Sequence, residues 1–466
     1  MIRFFPIIIV TALLSSGCQF GGIGGIKRPQ REAPLMTPES WISASKANRG
    51  KINRGWLKNL GDPKLIKITQ EALNNNHDLR VSALLLESAK EGTIIGRAAR
   101  FPSLNLGGSN SRSRSNQEPP NYSSNYGLTL SASWEIDLWG RLRNLDRAQY
   151  EDLVAARADY NAARLSLVAN TAKSWFNLIT AQQLLELAEK TKKSYDANYR
   201  ITERNYKAGD VTASPLAVQF ARNQVASAER NLINQKLARK EAARTVELLL
   251  GRYPNGELQS GNTLPTLRGK VPAGIPSEML LRRPDLVSAS AAIRASAERA
   301  DASRKDLFPS FSLTGRGSTS SSKLDQLILD PEAIAWSTAT SVAQTLFRSG
   351  AKTASARIAL QQNERTIRRF SSQMLRALRE VESALSTESS LSEQTKFLTI
   401  ELRQAELAER QAGRDYSEGL VRIISVLEAQ RRAVASRRAM IFLKNQRLQN
   451  RIDLHLALGG DFNNGP

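Results

Sequence analysis

Three long stretches of the chain contain neither glycine nor proline: Arg141 to Ala208, Ala351 to Ala412 and Leu420 to Leu458. The residues that most readily interrupt helices are missing there, so each stretch predicts one unbroken helix. At about 1.5 Å per residue the first alone would run roughly 100 Å, more than the width of a globular domain of this size. Apolar or small residues recur within it every seven positions, at Leu153, Tyr160 and Leu167, then at Ala181, Ala188 and Tyr195, with Leu178 and Leu185 beside them. That period makes helices supercoil against neighbours, and the many alanines allow close approach.

The pattern is duplicated. Phe101-Pro102-Ser103 recurs as Phe308-Pro309-Ser310 and Asp78-Leu79 as Asp285-Leu286, both at an offset of 207 residues. Leu138-Trp139 answers to Leu346-Phe347, Tyr206-x-x-Gly209 to Tyr416-x-x-Gly419, and Leu250-Gly251 to Leu458-Gly459. Order and spacing are preserved, so each half reads as helix, strand pair, very long helix, tight turn and long returning helix. The expected first repeat covers 61–260, with a hairpin over 101–138 and long helices over 141–250. The second covers 261–466, with a hairpin over 308–347 and helices over 350–458.

The strands carry a second constraint. In YGLTLSASWEIDL, Tyr126, Leu128, Leu130, Ala132, Trp134, Ile136 and Leu138 are apolar, and every residue between them is Gly, Thr, Ser, Glu or Asp. Strict period two predicts a strand with one apolar and one aqueous face, the pattern of a transmembrane β-strand. Tyr126, Trp134 and Trp336 are the candidate aromatics for the membrane interface. Phe311, Leu313 and Gly315 alternate with Ser312, Thr314 and Arg316 in the second half; Ser103 to Ser115 and Ile334 to Phe347 match more weakly. A soluble half-buried hairpin has a similar pattern. If the strands do enter a bilayer, four cannot close a barrel, and open edges there leave backbone groups unpaired at several kcal/mol each. Two copies would supply eight strands around a filled interior, and three would supply twelve around a wider lumen. Trimerisation is the better inference.

Composition narrows the function. The hydrophobic fraction is 41%, and after the first residues no run of about 18 apolar residues occurs, which excludes a polytopic helical membrane protein. The formal charge of +22 is dispersed among acids at helical spacing, as in RQAELAERQAGRDY, and reads as solvated helix faces rather than a nucleic-acid patch. Residues 1–17 read as an export signal: Arg3 is followed by a short apolar segment from Ile7 to Leu14 and by small residues just before Cys18. Cys18 is the only cysteine, and its setting resembles a bacterial lipobox, with Ser15 where that pattern usually has leucine. It is the expected lipidation site, and the glycine-rich stretch after it reads as a tether. His77 and His455 are the only histidines, and there is no GxxxxGK[ST] loop. No catalytic, metal or cofactor constellation is expected.

Three segments carry a family resemblance: WEIDLWGR at Trp134 to Arg141, SEMLLRRPDL at Ser277 to Leu286, and YSEGLVRIISVLEAQ at Tyr416 to Gln430. In this order on a duplicated frame, they resemble the TolC-like outer-membrane efflux proteins, specifically the lipoprotein branch with NodT-type and OprM-type channels. The resemblance implies a mainly α fold with membrane β: a trimeric twelve-stranded β-barrel, four strands per chain, continuous with a twelve-helix periplasmic α-barrel. Residues 18–60 would be a lipid-anchored tether and equatorial segment, and Gln19 after Cys18 implies sorting to the outer membrane.

The implied function is a passive exit duct for drugs or other small molecules. Its implied partners are a periplasmic adaptor and an inner-membrane transporter, of resistance–nodulation–division type for this branch. A type I protein-secretion duct and a non-conducting secreted coiled-coil protein are the alternatives. The family's adaptor-docking tips fall on Gly209, Asp210 and Val211 and on Gly419, Leu420 and Val421. Its gate falls on Tyr416, Arg422, Ser425 and Glu428. Tyr416 matches a tyrosine that helps hold the entrance closed. Two aspartates that often follow the second tip correspond to Ser425 and Glu428, so only one acid remains there.

Overall fold

A computed structural model describes residues 26–34, 38–43, 56–116, 118–210, 214–267, 272–274, 276–325 and 334–460. Cys18 and Val211 lie outside the described residues. After a single 3-10 turn at Trp56–Leu60, the first half runs α1 (Pro63–Asn75), α2 (His77–Ala98), β1 (Ser103–Ser115), β2 (Asn121–Ile136), α3 (Arg141–Lys207) and α4 (Pro215–Leu249). The second half runs α5 (Pro276–Arg282), α6 (Pro284–Lys305), β3 (Ser310–Ser321), β4 (Ala335–Ala343), α7 (Ala351–Ser417) and α8 (Ile423–Ala457). None of the described helices is long and apolar enough to cross a membrane.

The duplication is carried to the residue. Helices α3 and α7 are each 67 residues long, α4 and α8 each 35, and α2 and α6 each 22. His77 and Pro284 occupy the same position, as the first residues of α2 and α6. All four long helices also stop in the same way. The Gly209 N–H bonds to the Tyr206 carbonyl and Asp210 N–H to Asn205, and Gly419, Gly251 and Gly459 head the same pair of bonds at the ends of α7, α4 and α8. These are Schellman closures, which need a left-handed residue; φ is +77°, +75°, +68° and +66° at Gly209, Gly419, Gly251 and Gly459. At Gly459 a side chain is excluded twice over, because a Cβ would lie 2.9 Å from the backbone of Arg282 and Arg283.

The chain forms two compact units that cut across the repeats. One holds Leu85–Arg157 and Ser288–Ser372 with the described residues before 36. In it α6 turns a row of alanines inward, with Ala291, Ala295, Ala297 and Ala300 fully buried. Polar clamps flank them: Asn144 donates to Glu298, Arg294 to Glu151 at 2.8 Å, and the Asn363 side chain bonds to both Ser296 and the backbone of Gln30.

The other unit holds Ala158–Val287 and Gln373–Pro466 with the described residues of 38–84. Its core gathers Trp56, Leu60, Leu65, Trp175, Phe176, Ile179, Val246, Leu250, Leu448 and Ile452. The heptad positions Leu167, Leu178, Ala181, Ala188 and Tyr195 are buried, whereas Leu185 is half-buried. Here α3 runs antiparallel to α8, joined from Asn198–Gln430 to Asn177–Asn445 and Lys173–Asp453. Helix α7 is joined to α8 by Arg437 with Glu406 and Glu409, and by Arg451 with Glu388.

Candidate functional site

The four strands form one antiparallel sheet in the order β1-β2-β3-β4, so each repeat contributes a hairpin and β2 pairs with β3 across the duplication. Because side chains alternate across a strand, the register assigns the two faces. One face collects Leu104 and Leu106 of β1, Leu128, Leu130, Ala132, Trp134 and Ile136 of β2, Phe311 and Leu313 of β3, and Trp336 and Val342 of β4. The other carries Ser131, Ser133, Ser312, Thr314, Arg316, Ser337 and Ser341. In the single chain much of the apolar face is bare, most of all on the edge strands: Leu104 and Leu106 are each 69% exposed and Trp336 is 78% exposed. Strands β1 and β4 are both edges, and every residue of each is exposed. An exposed edge beside an exposed apolar face is avoided in a soluble monomer, and both call for partners.

The expected interfacial aromatics all lie on the apolar face. Tyr126 is opposite Asn110 and Ser321. Trp134 is opposite Leu313, and its indole N–H donates to the Arg100 carbonyl at 3.0 Å. Trp336 is opposite Gly317, in the same cross-strand row as Leu130 and Leu106.

The junction from β2 to α3 is fixed by the residues of WEIDLWGR. Asp137 accepts from the backbone N–H groups of Leu142 and Arg143, capping the long helix where its first amides lack partners. Glu135 holds Arg141 through both oxygens. Trp139 stacks on Phe308 with centroids 5.0 Å apart and donates to the Pro309 carbonyl at 2.7 Å, tying the two repeats together. The two acids, on the aqueous parity of the sequence pattern, are thus engaged in turning the chain.

The helix turns form the second part of the site. Tyr416, in the last turn of α7, packs on a small cluster of Ala217, Ile423, Val426 and Leu427, and its hydroxyl lies 3.4 Å from that of Thr202 on α3. A turn away from Thr202, Gln430 is bonded to both Asn198 and Ser194. Arg422 is the N-cap residue of α8 with no side-chain cap bond, and the exposed Ser425 donates its backbone N–H to the Arg422 carbonyl. The structure does not pair Arg422 with Glu428. Glu428 is instead held by Arg431 and Arg432, three and four residues on, each at 2.9 Å. Hydrogen bonds from the two guanidiniums, first Arg431 and then Arg432, hold its carboxyl down at about 2. Leu420 is exposed and Gly419 has open space around it.

Sequence reasoning overlooked Thr202, Gln430 and the paired arginines. The first two are brought to the site by helix packing, but Arg431 and Arg432 stand at helical spacing from Glu428 and were open to detection. Among the described residues no cluster of His, Cys, Asp and Glu is arranged to hold a metal ion.

The family model described as outer membrane efflux protein matches residues 68–252 and 275–460, once on each repeat. The cation efflux system protein CusC of Escherichia coli O6:H1 is 30% identical over 461 residues, spanning 98% of each chain. The toluene efflux pump outer membrane protein TtgC of Pseudomonas putida is 28% identical, over 97% of this chain and 94% of its own. Among solved structures, the outer-membrane channel OprN superposes with a TM-score of 0.85 at 25% identity, covering 94% of this chain and 99% of that one.

Proposed function

The chain belongs to the outer membrane efflux protein family, and from that premise we propose that three copies pool their sheets into one twelve-stranded barrel that serves as the passive exit duct of a tripartite pump. Its location is the cell outer membrane. The observation that carries the reading is the bare, two-faced, open-edged sheet: in lipid its edge N–H and C=O groups need the strands of another copy. Energy would come from an inner-membrane transporter, of resistance–nodulation–division type, through a periplasmic adaptor docking at the turns of Gly209–Asp210 and Gly419–Val421. Cys18 would carry the lipid anchor.

The face lined by Ser131, Ser133, Ser312, Thr314 and Arg316 suits a water-filled lumen. Relatives of nearly equal identity are named for cations and for toluene, which supports a cargo set by the pump rather than by the duct. Small-molecule efflux is favoured over protein secretion by those same names. The test is complementation. In a Gram-negative strain lacking its own ducts, this chain expressed with its adaptor and transporter is expected to lower accumulation of a fluorescent efflux dye. Unchanged accumulation despite assembled outer-membrane protein would refute the efflux role.

A further inference from the structure

We infer that Arg112 and Arg114 form a binding site for the phosphate headgroups of an outer-leaflet lipid; the inference rests on the membrane reading above. Both arginines lie on β1 with the same parity as Leu104 and Leu106, on the face that would meet hydrocarbon. They stand at the turn end of the β1–β2 hairpin, the opposite end of the strands from the connections to α2 and α3. At about 3.4 Å per residue, Arg112 is roughly 27 Å along the strand from Leu104, which at a tilt of about 40° is roughly 20 Å of height, most of the apolar band of a membrane barrel. The residues between Leu106 and Arg112 on that face are Gly108 and Asn110, so the strand turns from apolar to cationic where hydrocarbon gives way to headgroups.

The two guanidiniums are gathered on one ring. Tyr122 is directly opposite Arg114, and the guanidinium carbons of Arg112 and Arg114 lie 5.7 and 5.8 Å from its centroid. Cation–π attraction keeps both cations beside the amphipathic phenol. Among the described residues, no carboxylate lies within ion-pair distance of either guanidinium. Two like charges held side by side repel unless an anion sits between them, and a guanidinium fork matches phosphate oxygens in a bidentate way. A phosphomonoester on a glycolipid offers that anion with its acyl chains beside Leu106 and Leu130.

The experiment titrates the detergent-purified full-length assembly with bis-phosphorylated lipid A and counts bound lipid by native mass spectrometry, with assembly and conductance followed on the same samples. The double variant Arg112→Ala/Arg114→Ala is expected to bind about a hundredfold more weakly, tenfold for each guanidinium removed. The double lysine variant should recover only part of the loss, since a point charge lacks the fork. Arg316→Ala removes the same charge from the other face of the sheet and should leave lipid binding unchanged. Equal binding by the double alanine variant would overturn the site, as would an equal loss in Arg316→Ala. Displacement of lipid A by millimolar inorganic phosphate would show a site for soluble anions and overturn the lipid assignment. A conducting assembly with no lipid preference would sink this inference and leave the duct intact; a preparation that never assembles would sink both.

Discussion

Tyr416→Ala is expected to raise the open probability of the reconstituted channel about a hundredfold. Tyr416 ties the end of α7 to α3, α4 and α8, through the Thr202 hydroxyl, Ala217 and the cluster of Ile423, Val426 and Leu427. It is only half-buried and its hydroxyl contact is long, so the packing and the hydrogen bond together are worth about 1 kcal/mol per chain. In a threefold assembly whose turns move together, that becomes about 3 kcal/mol on the closed state, or roughly two powers of ten in the equilibrium. Tyr416→Phe keeps the ring and loses the weaker interaction, so it should fall between. Single-channel recording in planar bilayers reads both, and an unchanged open probability in the alanine variant would remove Tyr416 from the gate.

The second large effect is acid sensitivity centred on His455. Its imidazole is 3% exposed, stacked on Trp56 at 5.2 Å, and among the described residues its Nδ1 has no hydrogen-bond partner. Burial first, and the neighbouring charge of Arg451 second, push its pKa down to about 3. The folded protein therefore keeps His455 neutral while the unfolded chain takes up a proton near the ordinary 6.5. A depressed folded value means that the stabilisation is complete above pH 6.5 and is lost progressively as pH falls towards 3. The slope is about 1.4 kcal/mol per pH unit, so acidification from pH 7 to 4 should remove about 3 kcal/mol. Denaturant unfolding of the detergent-solubilised protein at several pH values measures this, and His455→Phe, which keeps the stack on Trp56, should flatten the profile over that window. A wild-type profile already flat between pH 7 and 4 would contradict the buried neutral histidine. Below that window Asp285 adds a further loss. Burial alone would raise its pKa, but the hydrogen bonds and charge of Arg283 outweigh it and hold the carboxyl low.

How much of this was legible depended on whether a feature is local. The long helices announce themselves because glycine and proline are the residues that would have ended them, and the duplication alone places Gly209 opposite Gly419 and Gly251 opposite Gly459. Strand β2 is equally plain, with six apolar residues in strict alternation from Tyr126 to Ile136. Its neighbours are not. In β1 only Leu104 and Leu106 mark the apolar face before it gives way to Gly108, Asn110 and the arginines, and in β4 Thr338 and Thr340 lie on the apolar face while Ala335, Ala339 and Ala343 lie on the other. The second-half segment Ile334 to Phe347 contains a strand only over Ala335–Ala343. Small residues tolerate both environments, so period two fades where the chain needs no bulk.

What stayed hidden is non-local. The pairing of Trp134 with Leu313 joins residues from different repeats, and the compact units divide both repeats rather than separating them. Tyr416 was legible as a gate candidate only through the family resemblance, because Thr202 reaches it by packing of α3 against the turn. His455 read as an isolated histidine without chemistry. Its setting comes from the 3-10 turn of Trp56, which packs against the end of α8.

On the proposed reading, one chain supplies a third of a membrane wall. Mass photometry or native mass spectrometry of the outer-membrane protein extracted in mild detergent, with ion conductance recorded from the same fraction, tests it most directly. Three copies per particle, conducting after Tyr416→Ala, is the predicted result. Stable monomers in membranes, or trimers that pass no ions even with Tyr416 replaced, would contradict it.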